Sequence, residues 1–90
     1  MSRTHLLISG RVQGVTFRAN TKKKARRLNL KGWVRNTDNG KVEVVIEGEK
    51  DKIEKLIDWA WEGPSLAKVE DIDVEWQEEG QQFDDFKVKH

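Results

Sequence analysis

The apolar residues of this 90-residue chain change their spacing in a definite order, and that order leaves few folds open. From Thr4 to Val12, the residues Leu6, Ile8, Gly10 and Val12 share one face, which is the period of a strand. Phe17, Thr21, Ala25 and Leu28 then recur at intervals of four, four and three. That stripe predicts a helix from Phe17 to about Leu30, with Gly32 ending it. Lys31 to Asn36 contains Trp33 and Val34 and reads as a short strand. Thr37 to Gly40, "TDNG", supplies the turn of a hairpin whose second strand alternates Val42, Val44 and Ile46 with Lys41, Glu43 and Glu47.

After Gly48, the residues Ile53, Leu56, Ile57, Ala60 and Trp61 lie at helical spacing, with Glu54, Asp58 and Glu62 as an acidic stripe beside them. Past the Gly63-Pro64 turn, Ile72, Val74 and Trp76 alternate with Asp71, Asp73 and Glu75. Phe83, Phe86 and Val88 predict a last short strand. The order is β-α-β-β-α-β plus a short terminal strand, an α+β chain. Right-handed crossovers and sequential hairpins turn it into a split β-α-β sandwich, with two helices on one face of a mostly antiparallel sheet. Ninety residues without repeat or linker give a single domain, 1–90, since either half alone has too little core.

The composition excludes several chemistries. Cysteine is absent, which removes disulfides, thiolate nucleophiles and metal-thiolate sites. No apolar run suits a membrane span or a signal peptide, so a cytoplasmic setting is expected. Net charge is only +1, but residues 1–36 carry ten Lys or Arg and no acid, whereas the rest carries seven against sixteen Asp or Glu. The basic third suits a phosphate, on a small molecule or on nucleic acid. It also suits a first helix whose Lys22, Lys23, Lys24, Arg26 and Arg27 are relieved by the acidic second helix beside it.

Between the first strand and the first helix lies "GRVQGVTFRAN", Gly10 to Asn20. A glycine-hinged loop turns several backbone N–H groups into one concavity, and the helix start adds unpaired N–H groups. Arg18 sits in the first helical turn, where the helix dipole gives a cation nothing. A bound anion explains it, because a guanidinium fork grips two phosphoryl oxygens. On these residues alone, an anion site and a plain connector with a solvated arginine are equally good accounts.

Four blocks carry a resemblance to a known family. "GRVQGVTFR" (Gly10 to Arg18) resembles the signature of acylphosphatases, and "GWVRNTDNGKVEV" (Gly32 to Val44) resembles their second block. "EGP" at Glu62 to Pro64 with Ala67 and Val69, and "FDDF" from Phe83 to Phe86, also match. The resemblance covers essentially the whole chain and implies the ferredoxin-like sandwich. It implies hydrolysis of acyl phosphates to a carboxylate and inorganic phosphate by direct attack of an oriented water. It implies that Arg18 binds the phosphoryl group with backbone amides of Arg11, Val12, Gln13, Gly14, Val15, Thr16 and Phe17, and that Asn36 orients the water. The carboxylate leaving group has a low pKa and needs no protonation, so two side chains suffice without metal or cofactor.

The remaining residues are given plainer roles. Arg11 extends the phosphate site or forms a surface ion pair. His5, on the strand face opposite Leu6 and Ile8, is expected to be solvated or loosely packed, and His90 to be mobile. Trp33, Trp59, Trp61 and Trp76 read as packing groups, with Trp59, off its helix's apolar stripe, partly exposed. A nucleic-acid-binding module is the competing function, but the sheet lacks an aromatic RNA-recognition motif and residues 37–90 are acidic. A regulatory domain that binds an acyl or phosphoryl metabolite without turnover is the third. The expected partner is a small acyl phosphate, with no nucleic acid or membrane, and the expected state is a monomer.

Overall fold

The structure is a computed structural model and describes residues 1–77 and 83–90. Its elements are β1 (Ser2–Arg11), α1 (Phe17–Arg27), β2 (Lys31–Asn36), β3 (Val42–Gly48), α2 (Lys50–Glu62), β4 (Lys68–Gln77) and β5 (Phe86–Lys89). One five-stranded sheet has the order β4-β1-β3-β2-β5. All neighbours are antiparallel except β2 and β5, which run parallel. β3 lies between β1 and β2, so the first crossover is split by the hairpin's second strand.

The alternation read from the sequence sets which side of each strand is buried. Leu6 and Ile8 pair with Val44 and Val42, and Val34 pairs with Val44, so one face is a continuous apolar surface. Phe17, Thr21 and Ala25 of α1, and Ile53, Leu56 and Ala60 of α2, close over it. α1 lies against β2 and β5, and α2 against β4, β1 and β3. Removing these side chains from water is the main stabilising term, at ~25 cal/mol per Å² of apolar surface.

α1 ends earlier than its apolar stripe predicts. Asn29 takes the left-handed conformation at φ 58°. The Leu30 N–H then donates to the Ala25 carbonyl at 2.9 Å, and the Asn29 N–H to that of Arg26 at 3.1 Å. That is a Schellman cap, and it ends the helix at Arg27, five residues before Gly32. Phe83 lies outside β5, which begins at Phe86.

Two of the tryptophans pack less than expected. Trp59 is half-buried with its ring 5.6 Å from that of Phe17, fastening the start of α1 to α2. Trp61 is 47% exposed and Trp76 42% exposed. Helical spacing alone does not say where a helix's packed stripe stops.

The charges also lie differently. Among the described residues no ion pair joins α1 to α2. Glu54 and Asp58 line a groove against Val74 and Trp76 of β4, on the side of the sheet away from β5. Within α1, Lys22 faces Arg26 and Lys23 faces Arg27 at i,i+4 spacing, each like-charge pair costing roughly 0.2–0.5 kcal/mol. Lys24, Arg26 and Arg27 in the last turn recover part of this from the helix dipole.

On the open face of the sheet, His5 is bonded to Glu43 at 2.7 Å, and the Arg35 Nε–H donates to the same carboxylate at 2.6 Å. Burial alone would raise the Glu43 carboxyl. The hydrogen bonds from His5 and Arg35, with the Arg35 charge, outweigh burial together and hold it below its ordinary value. His5 is thereby fixed in a three-residue cluster rather than loosely solvated.

Candidate active site

Val12, Val15 and Phe17 are at most 5% exposed and anchor the loop after β1 in the core. The backbone between these anchors curves outward, and residues 13–16 bend without closing a hydrogen-bonded turn. Gly10 starts the curve where β1 and β4 shift register; at φ 122°, a Cβ there would lie 2.2 Å from the Lys68 carbonyl oxygen, so only glycine fits. Gly14 turns the chain again at φ 73°.

Thr16, at φ 64° and ψ 19°, is a threonine in the left-handed region and stores about 1 kcal/mol of strain. Asn20 holds it there: its Nδ2–H donates to the Thr16 carbonyl at 2.9 Å and to the hydroxyl at 3.0 Å. The first helical backbone bond is Asn20 N–H to the Thr16 carbonyl at 3.1 Å. The amides of Phe17, Arg18 and Ala19 therefore have no intrahelical acceptor. Nor do those of Gly14, Val15 and Thr16 donate to a backbone carbonyl among the described residues. Several N–H groups and the positive end of a helix converge on one place.

Across from this loop stands the end of β2. The Gln13 side-chain amide donates to the carbonyls of Thr37 and Lys41, both at 2.8 Å, tying the loop to the turn that follows Asn36. Asn36 pairs with Val42, which puts its side chain on the helix side of the sheet, with its Oδ1 buried and without a hydrogen-bond partner. An unpartnered buried acceptor is costly unless something donates to it, and Asn36 is one of the residues that line a cavity. That cavity is about 310 Å³, with Gly14, Thr16 and Arg18 on one wall and Asn36 on another.

Val12, Phe17, Ala19, Val88 and His90 complete the lining. Of the residues singled out in sequence, Arg18 and Asn36 are brought together, and Val12, Gly14, Thr16 and Phe17 border the same space. Arg11, Gln13 and Val15 do not line it: Arg11 is exposed opposite Lys68, Gln13 reaches to the hairpin turn, and Val15 points into the core.

Sequence reasoning missed Ala19, Val88 and His90. Val88 arrives through the parallel pairing of β5 with β2, opposite Val34, and the next step along that face brings His90 level with Asn36. The Arg18 Nη1–H donates to His90 Nδ1 at 3.3 Å. Nothing local in the sequence announces a parallel edge strand.

The acylphosphatase family profile matches residues 4–88. The chain belongs to the acylphosphatase family. An acylphosphatase of Pyrobaculum aerophilum is 51% identical over 98% of this chain and 94% of its own length. One of Pelotomaculum thermopropionicum is 45% identical over 97% and 95%. The crystal structure of the acylphosphatase from Bacillus subtilis superposes with a TM-score of 0.97 at 31% identity, covering all of both chains. This chain is accordingly an enzyme of the acylphosphatase type, acting on the carboxyl–phosphate bond, with the ferredoxin-like sandwich its sequence resemblance implied.

Proposed function

We propose that Arg18 and the amides of the 11–17 loop bind the phosphoryl group of the acyl phosphate while Asn36 orients the attacking water. The observation that carries this is that Arg18, loop residues whose N–H groups have no backbone acceptor, and Asn36, whose Oδ1 is buried and unpartnered, line one cavity. The loop N–H groups and Arg18 supply donors, fit for negative charge gathering on the equatorial oxygens. Asn36 supplies an acceptor, fit for the proton of a water. The water oxygen bonds to phosphorus as the bond from phosphorus to the acyl oxygen breaks. The carboxylate departs with that electron pair, and the water's proton leaves to phosphate or solvent.

Arg11, Gln13 and Val15 enter this reading only through their backbone, whereas Gly14, Thr16 and Phe17 border the cavity themselves. No step forms a bond to the protein, so a phosphoenzyme trapped during turnover would sink that part. We further propose that residues 1–90 act as one domain, a cytoplasmic monomer working on a small molecule without nucleic acid. In support, no helix among the described residues is long and apolar enough to cross a membrane.

The test is loss of benzoyl phosphate followed by ultraviolet absorbance, beside an aryl phosphate monoester whose leaving group is far more basic. Rapid loss of the first and persistence of the second is the expected result. Stability of benzoyl phosphate in the presence of the protein would end the reading.

A further inference from the structure

We infer that the cavity at Arg18 adjoins a second, basic compartment, so that the substrates it suits are acyl phosphates whose acyl group carries another negative charge. This rests on the hydrolysis reading above and specifies its substrate class. Beside the phosphate cavity runs an open groove of about 620 Å³, lined by Lys22, Lys23, Arg26 and Arg27 of α1, with Ala19 and Val88 as its apolar floor. Ala19 and Val88 also line the phosphate cavity, so the two spaces adjoin. Positions 19, 22, 23, 26 and 27 lie on one helical face. At ~1.5 Å per residue the cations stand roughly 6 to 14 Å along the helix from Arg18.

The charge here is not consumed by the fold. Arg26 is bound to Asp85 at 2.7 Å. Lys22, Lys23 and Arg27 have no ion-pair partner among the described residues. The acidic stripe of α2 faces β4 instead, and Lys22 and Lys23 precede the last turn, where the helix dipole would favour them. Three unpaired cations over a small apolar floor, beside a site that holds a phosphoryl group, fit an acyl chain with an anion at its other end. The chain would cross Ala19 and Val88, and its distal carboxylate or phosphate would meet Lys22, Lys23 and Arg27. A neutral acyl group gains only the apolar contact, and a cationic one is repelled.

The test compares 3-phenylpropanoyl phosphate with 3-(4-carboxyphenyl)propanoyl phosphate. Their two methylenes insulate the reacting carbonyl from the ring, so the leaving groups are matched. The expected kcat/KM ratio favours the carboxylated substrate by about fivefold at low salt and falls towards one at about 0.5 M salt. Lys22→Gln with Lys23→Gln is expected to collapse the ratio, and Lys23→Glu to bring it below one. The pair Glu54→Gln, Asp58→Gln, on the far side of the molecule, should leave the ratio as it was. A wild-type ratio near one, or a ratio indifferent to the lysine substitutions, overturns this inference alone. No hydrolysis of either compound, nor of benzoyl phosphate, overturns the hydrolysis reading and this one with it.

Discussion

The side-chain amide of Gln13 spans from the loop after β1 to the β2–β3 turn, donating to Thr37 and Lys41 at 2.8 Å each. It touches neither wall of the cavity, yet it sets the distance between them, because the loop carries the donors and β2 carries Asn36. Gln13→Ala removes both bonds, while the Thr37 and Lys41 carbonyls keep the backbone N–H groups of Gly40 and Thr37, so the cost is that of two hydrogen bonds, about 1–3 kcal/mol. The expected outcome is a Tm lower by roughly 5–15 °C in a domain of this size, with kcat falling more than phosphate affinity. Calorimetry and phosphate inhibition measured on one preparation check both.

Arg18→Gln keeps a polar side chain and removes the charge and the fork. Activity towards benzoyl phosphate should fall by about 10²–10³-fold, and competition by inorganic phosphate should vanish with it. Retained phosphate competition would mean that the amides alone hold the anion.

Asn36→Ala deletes the acceptor and little else. The expected loss is again about 10²-fold in kcat, with the inhibition constant for phosphate within about twofold of wild type. Equal weakening of turnover and phosphate binding would assign Asn36 to binding instead of water positioning. Since its Oδ1 lacks a partner, the substitution should not destabilise the fold, and a urea midpoint at or above wild type is the check.

Gly10→Ala tests the start of the loop. The new methyl group would lie 2.2 Å from the Lys68 carbonyl oxygen at a φ of 122°, and both strands must move to admit it. A destabilisation of roughly 3 kcal/mol is expected, read from chemical unfolding. Gly14→Ala has open space around it and bears only the strain of φ 73°, so it should cost less.

The Glu43 carboxyl lies below its ordinary value of 4.5 in the folded chain, so protons bind it more readily when the chain unfolds. Its contribution to stability is therefore full above that ordinary value and is lost as pH falls through the lower folded one. Glu43→Gln should lower stability at neutral pH and flatten the acid limb of the stability profile below pH 4.5. Unfolding midpoints across that range, in both proteins, measure the difference in slope.

The residues that alternate or recur every three to four positions fixed the element order by themselves, because burial on one face demands that spacing and local chemistry can be read along the chain. Arg18 and Asn36 were singled out by the resemblance of their two motifs to the acylphosphatase signature; on local chemistry alone, a plain connector and a turn-forming asparagine fit as well or better. Only the tertiary structure decided what lies beside them. The parallel pairing of β5 with β2 carries Val88 and His90 to the site from the far end of the chain. The packing of α2 towards β4 leaves the basic face of α1 open beside the cavity. Both depend on which surfaces meet across long stretches of chain, and no local period or charge pattern encodes that.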